Sequence, residues 1–313
     1  MKYLNKYKMN LSQRGVVLKL ILTMAVSVAV LTSASAQRRN SMQYISADFG
    51  GGLQSIQYKP VNGSRKGGAG MTFNVGYRYF FTDNWAVSTG LGVSTYSAKT
   101  KYNDTYESTP SYDSVNQLNY EFRTYFDGFL EKQKTAVLEI PIQAYYEYPI
   151  SQRRFEVFGK AGFKLGFPVS SKYKLMKGSY ETRGYYPYLG HEIYSSSEGE
   201  YVHGFGVYET DSQKGKMKLN PVNFSLAIEG GANYRFNRMI RFTAAMYFSY
   251  CLTNLHKESV QPLLTEEYKY NGTMQSNQID RASLLSFGLK AGVVLDVKET
   301  FSSKSGGNRR PKF

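Results

Sequence analysis

Alternation with a period of two constrains this chain more than any other feature. From Met71 onward, Met71, Phe73, Val75, Tyr77, Tyr79 and Phe81 are apolar or aromatic, while Thr72, Asn74, Gly76 and Arg78 between them are polar or small. A strand whose two faces meet different surroundings has this pattern. Thr82-Asp83-Asn84 then reads as a tight turn, after which Trp85, Val87, Leu91 and Val93 alternate with Ala86, Ser88, Gly90, Gly92 and Ser94.

The same unit recurs twice. Leu138, Ile140, Ile142, Ala144, Tyr146 and Tyr148 turn at Ser151 to Arg154 into Phe155, Val157, Ala161, Phe163 and Leu165. Phe224, Leu226, Ile228, Ala232, Tyr234 and Phe236 turn at Asn237-Arg238 into Ile240, Phe242, Ala244, Met246, Phe248 and Tyr250. Unpaired alternating segments remain near each end, at Ile45 to Leu53 and Leu285 to Leu295. Three hairpins and two end segments make eight strands, and the end segments can pair with each other. The expected fold is an all-β, eight-stranded antiparallel up-and-down transmembrane β-barrel, because an open sheet edge in lipid would strand backbone hydrogen-bonding groups. A soluble β-sandwich or lipocalin-like barrel with inward apolar faces is the alternative. The Gly-rich, charged opposite faces argue against it.

Connection lengths alternate as the barrel reading requires. Short turns follow the second, fourth and sixth strands, whereas the connections Lys59 to Ala69, Lys99 to Lys134, Leu175 to Pro221 and His256 to Asp280 are longer. Short periplasmic turns and long extracellular loops are the rule for outer-membrane barrels. Tyr77, Tyr79, Phe81, Trp85, Tyr146, Tyr148, Phe155, Tyr234 and Phe236 share the outward parity at the short-turn ends, where they would form an interfacial girdle.

Export is legible at the N-terminus, where Lys2, Lys6, Lys8, Arg14 and Lys19 precede an apolar run from Leu20 to Leu31 and the site Ala34-Ser35-Ala36. Residues 1–36 are expected to be a signal peptide cleaved between Ala36 and Gln37, with an uncleaved anchor helix as the alternative. The barrel domain is then 37–297 and a polar periplasmic tail 298–313, in the outer membrane of a Gram-negative cell. The single cysteine, Cys251, excludes an internal disulfide framework and thiolate metal clusters. The formal charge of +15 is concentrated partly in the leader and the tail, so it does not describe a nucleic-acid-binding face. A basic exterior does suit lipopolysaccharide phosphates.

The string Leu138-Glu139-Ile140-Pro141, with Val75-Gly76-Tyr77-Arg78-Tyr79-Phe80 and Gly90-Leu91-Gly92-Val93, resembles the PorT-like outer-membrane barrels of Bacteroidota. The resemblance spans about Gln43 to Val297. It implies a small outer-membrane barrel, with an accessory role in type IX protein export as one association, and carries over no catalytic or binding residue.

The inward parity holds Asp48, Glu139, Glu147, Glu156 and Glu229 against Arg78, Lys160, Lys164, Arg235, Arg241 and Lys290. An eight-stranded barrel is just wide enough for side chains to fill, so these groups are expected to pair as a plug. The alternatives are a narrow pore and a lipid-modifying enzyme. Against the enzyme, His191, His203 and His256 sit in connections without triad spacing. Asp104, Glu107 and Asp113 lack EF-hand spacing, and Gly50-Gly51-Gly52 and Gly90-Leu91-Gly92 suit close strand packing better than a phosphate cradle, so no metal or cofactor is expected. The second and third long connections are rich in tyrosine, from Tyr102 to Tyr125 and from Tyr180 to Tyr208. That composition suits a surface that recognises a protein or glycan partner, making a non-enzymatic surface or envelope-assembly component the expected function.

Overall fold

The computed structural model describes residues 42–151, 154–194, 205–210, 212–259 and 261–297. The expected signal peptide, the Ala36/Gln37 junction, His203 and the tail 298–313 lie outside them. Eight long strands carry the architecture: β1 (Gln43–Tyr58), β2 (Ala69–Phe80), β3 (Trp85–Tyr102), β4 (Leu118–Ser151), β5 (Phe155–Tyr186), β6 (Asn223–Arg235), β7 (Ile240–Cys251) and β8 (Ala282–Asp296). Each pairs antiparallel with the next, and β8 pairs with β1 through Ile45↔Leu295, Phe49↔Ala291 and Leu53↔Phe287. The ring is therefore closed, and no backbone edge faces lipid.

The two faces of the wall follow from the alternation. Phe49, Met71, Ile228 and Phe287 point outward and are exposed, while their neighbours Asp48, Thr72, Glu229 and Ser286 are buried inside. The closure seam is tight because β1 carries glycines there: a side chain on Gly50 or Gly52 would run into the β8 backbone at Leu289 or Phe287.

Two of the long connections hold strand that the alternation did not announce: Lys99 to Lys134 is largely strand, and Leu175 to Pro221 begins as strand as far as Tyr186. β4 and β5 run for 34 and 32 residues and stay paired from Tyr148↔Val157 up to Glu121↔Tyr185. Short strands extend this wall: Ser64–Gly67 pairs with β3, Thr105–Asp113 with β4, and His191–Ile193, Gly206–Glu209 and Lys214–Lys216 with β5. In this upper part the polarity of the faces reverses. Lys132 and Lys134 of β4 point outward, whereas Phe122, Phe126, Phe129 and Val137 are buried inside. A bulge between Asp127 and Leu130, with Gly128 at φ 62°, shifts the phase of β4 along the way. The reversal has a simple cause: the outer surroundings change from hydrocarbon to water, and apolar side chains then gain by facing inward.

Asp83 and Asn237 sit exposed in short turns, while Val115 and Tyr188 sit exposed in turns at the opposite end. Cysteines at the first pair should resist an impermeant thiol reagent on intact cells, and those at the second pair should react. Cys251 is buried and supplies an unlabelled background. Labelling at Asp83 and Asn237 alone would mean that the barrel is inserted the other way round.

Candidate functional site

Inside the lipid-spanning part, opposite charges meet in small shared networks. Glu229 of β6 accepts from Lys160 of β5 at 2.8 Å and from Lys290 of β8 at 2.5 Å, and Lys290 also lies 3.5 Å from Asp48. Lys164 reaches Glu139 at 3.0 Å, and the other Glu139 oxygen accepts from the Tyr96 hydroxyl. Nearer the short turns, Arg241 donates to Glu156 at 2.6 Å and Glu147 at 3.4 Å, and Arg235 donates to Glu156 at 2.7 Å. Arg78 is the exception, buried with its guanidinium 4.4 Å from the Tyr145 ring centroid and its Nε without a partner. Tyr44, Phe80, Tyr145 and Phe158 form an edge-to-face and stacked row beside it, with centroids 5.4–5.6 Å apart. Sequence reasoning did not name this row, although its members share the inward parity of Arg78, Glu147 and Glu156. The cavity between Asp48, Asn74, Gln143, Lys160, Glu229 and Lys290 is about 30 Å³, room for on the order of two waters.

On the outer wall at this end, Phe81, Trp85, Tyr146, Tyr148, Phe155 and Phe236 are exposed, and Tyr77, Tyr79 and Tyr234 are half-buried. Cross-strand contacts tie Trp85 to Tyr146 at 4.9 Å and Phe155 to Tyr234 at 5.0 Å.

Above the lipid-facing band, the barrel has an apolar filling that the sequence did not reveal. Ile56, Tyr102, Phe126, Phe129 and Leu175 from the walls meet Leu255, Leu263, Leu264, Met274 and Ile279 from the fourth connection, and Cys251 packs with them. That connection, expected to be an external loop, folds inward over the barrel mouth. Two buried carboxylates fasten it. Glu131 of β4 accepts from the Thr273 amide at 3.0 Å, from Gln133 at 2.6 Å and from the Tyr270 hydroxyl. Glu107 accepts from the Leu263 amide at 2.9 Å and from Gln278 at 3.3 Å. Burial raises both carboxyls above their ordinary range, against the lowering effect of those hydrogen bonds. No alternation rule marks either residue, because their partners are backbone amides of a distant irregular segment.

The tyrosines of the second and third connections divide between packing and display. Tyr102 and Tyr186 are buried, Tyr120 stacks on Tyr186 at 5.2 Å, and Tyr180 stacks on Tyr208 at 5.3 Å. Tyr188, at 85% exposure, and Tyr112 and Tyr194, at 58% and 55%, are presented outward. On the wall leading to them, Arg123 lies 3.9 Å from the Tyr185 ring centroid and Arg183 4.6 Å from that of Tyr125, and Glu192 bonds to both arginines at 3.2 Å. Tyr201 lies outside the described residues.

The histidines do not converge. His191 is exposed near the third-connection turn, and His256, although in a connection, is buried with Nδ1 unpartnered and its imidazole held below the usual range by burial. Among the described residues, no group of three His, Cys, Asp or Glu side chains is placed to hold a metal ion.

A closed eight-stranded ring, with an apolar outer band and a paired polar interior, defines an integral β-barrel of the outer-membrane type. Residues 35–257 match the family model described as outer membrane protein beta-barrel domain, and the chain belongs to that family. No curated protein matches it. Solved structures similar to it include Neisserial surface protein A, at 10% identity over 82% of this chain and 99% of that one with a TM-score of 0.34. Others are Ail of Yersinia pestis, at 13% identity over 80% and 98% with a TM-score of 0.27, and OprG of Pseudomonas aeruginosa, at 10% over 82% and 95% with 0.33.

Proposed function

We propose that this outer-membrane barrel is a non-enzymatic surface-interaction component that presents its recognition surface on the raised β4–β5 wall and its turns. The observation that carries this reading is the pairing of β4 with β5 far beyond the lipid-facing band, over an apolar filling, with Tyr112, Tyr188 and Tyr194 left exposed. A paired, packed wall holds exposed rings in place at little entropic cost on binding. The interior supports the same reading over a pore, because ion pairs fill the lower part and the fourth connection fills the upper part.

The test combines Tyr112→Ser, Tyr188→Ser and Tyr194→Ser in one variant and crosslinks it in native outer membranes beside the unaltered protein. Folding should be unchanged within about 0.5 kcal/mol, since exposed substitutions rarely matter more, and the crosslinked protein or glycan partner should be lost. Retention of the same partner by the variant would remove the recognition role of these tyrosines. Steady conductance of the unaltered protein in a planar bilayer would favour the pore instead.

A further inference from the structure

A second feature of the wall serves neither its closure nor the display of tyrosines. Lysines stand directly opposite one another across five neighbouring strands: Lys66 faces Lys99, Lys99 faces Lys132, Lys132 faces Lys174, and Lys174 faces Lys214. One row closer to the lipid, Lys134 faces Lys172, which faces Lys216. All are exposed except Lys174, which is half-buried. None forms an ion pair with a described carboxylate. Like charges placed directly opposite work against sheet pairing, so the ladder is a cost to the fold unless an anion lies on it.

Its position says which anion. The outward face of β3 runs from Val87, Leu91 and Val93 through Thr95 to Lys99 without changing parity, and that of β4 runs from Ile142 through Ala136 to Lys134 and Lys132. The ladder is thus the upward continuation of the lipid-facing surface. Between the two zones lies a groove of about 530 Å³, with Met71, Thr95 and Ala136 at its apolar side and Lys134 and Lys172 at its rim. We infer that the ladder binds the phosphate-bearing headgroup of an outer-leaflet glycolipid, with phosphates on the lysine rows and the upper part of an acyl chain in the groove. The site is independent of the exposed tyrosines.

The test uses the full chain refolded in neutral detergent and titrated with lipid A carrying both phosphates, with lipid A stripped of phosphate, and with a soluble sulfated polysaccharide. The variant combines Lys99→Ser, Lys132→Ser and Lys174→Ser, and a charge-keeping control carries arginine at the same positions. Removing three surface cations is expected to weaken binding of the phosphorylated lipid by roughly a hundredfold. The control should bind as the unaltered protein does, and the phosphate-free lipid should bind weakly to all three. Without lipid, the serine variant should unfold at the same temperature as the unaltered chain or higher, because a repulsion has been removed. Equal binding by the serine variant, a lower unfolding temperature of that variant in lipid-free detergent, or binding of the soluble polysaccharide in preference to the lipid would each overturn the assignment.

Discussion

Replacing Glu229 with leucine is expected to destabilise the barrel by about 3–5 kcal/mol, the range found when one partner of a buried ion pair is removed. Glu229 is the carboxylate described for Lys160, whereas Lys290 keeps Asp48 at 3.5 Å. The loss should therefore fall chiefly on Lys160, left without a carboxylate partner in the barrel interior. Combining Glu229→Leu with Lys160→Met removes both charges and should recover most of the stability, since apolar replacement of a whole buried pair is often neutral. The readout is urea unfolding in lipid vesicles followed by the fluorescence of Trp85, the chain's one tryptophan. A single variant as stable as the unaltered protein, or a double variant no better than the single, would mean that water reaches this network and screens it. The barrel would then be far less sealed than its 30 Å³ interior cavity indicates.

The second large effect is expected at the mouth. Leucine at position 131 leaves the Thr273 amide and the Tyr270 hydroxyl buried without an acceptor, at about 1–3 kcal/mol for each group. The fourth connection should then open, with the Leu263 and Thr273 amides exchanging their hydrogens much faster than in the unaltered protein. Glutamine at the same position keeps an acceptor and should hold the connection in place. A pH dependence follows from the same two carboxyls. Glu131 and Glu107 have folded-state pKa values raised above the ordinary 4.5, so the folded protein retains protons that the unfolded chain has released. Their contribution to stability is fully present below 4.5 and is lost as pH rises through the raised values. Protection of the two amides, corrected for intrinsic exchange, should therefore be higher near pH 5 than near pH 8. Glu131→Gln should flatten much of that difference. Stronger protection at pH 8 in the unaltered protein would reverse the assigned sign.

The lipid-spanning half of the fold was legible in the sequence because lipid outside and paired charge inside make every second residue apolar. Phe49, Leu91, Ile228 and Leu289 announce the outer face, and Asp48 and Glu229 the inner one. The strand extensions above the lipid are not legible in the alternation, for the same physical reason. There the alternation persists but its sign is inverted, with Phe129 and Leu175 inside and Lys132 and Lys174 outward, and the bulge at Gly128 breaks its phase. A search for apolar residues at outward parity passes over such a segment. The lysine ladder was hidden more deeply still, because Lys66, Lys99, Lys132, Lys174 and Lys214 are neighbours only through strand register. The fastening role of Glu107 and Glu131 depends on contacts more than 140 residues away along the chain.

The long pairing of β4 with β5, in register except at its bulges, also makes the wall a length standard. Each further pair of residues added to both strands would lift the third-connection turn by about 7 Å along the strand direction and leave every side chain on its own side. A single added residue would instead turn the segment above it inside out, sending lysines toward the filling and phenylalanines into water. Variation in the height of this wall among related chains should therefore come in even steps, with an odd step accompanied by a compensating bulge. The reach of the protein above the membrane can thus change by short in-phase insertions while the membrane-embedded ring stays untouched.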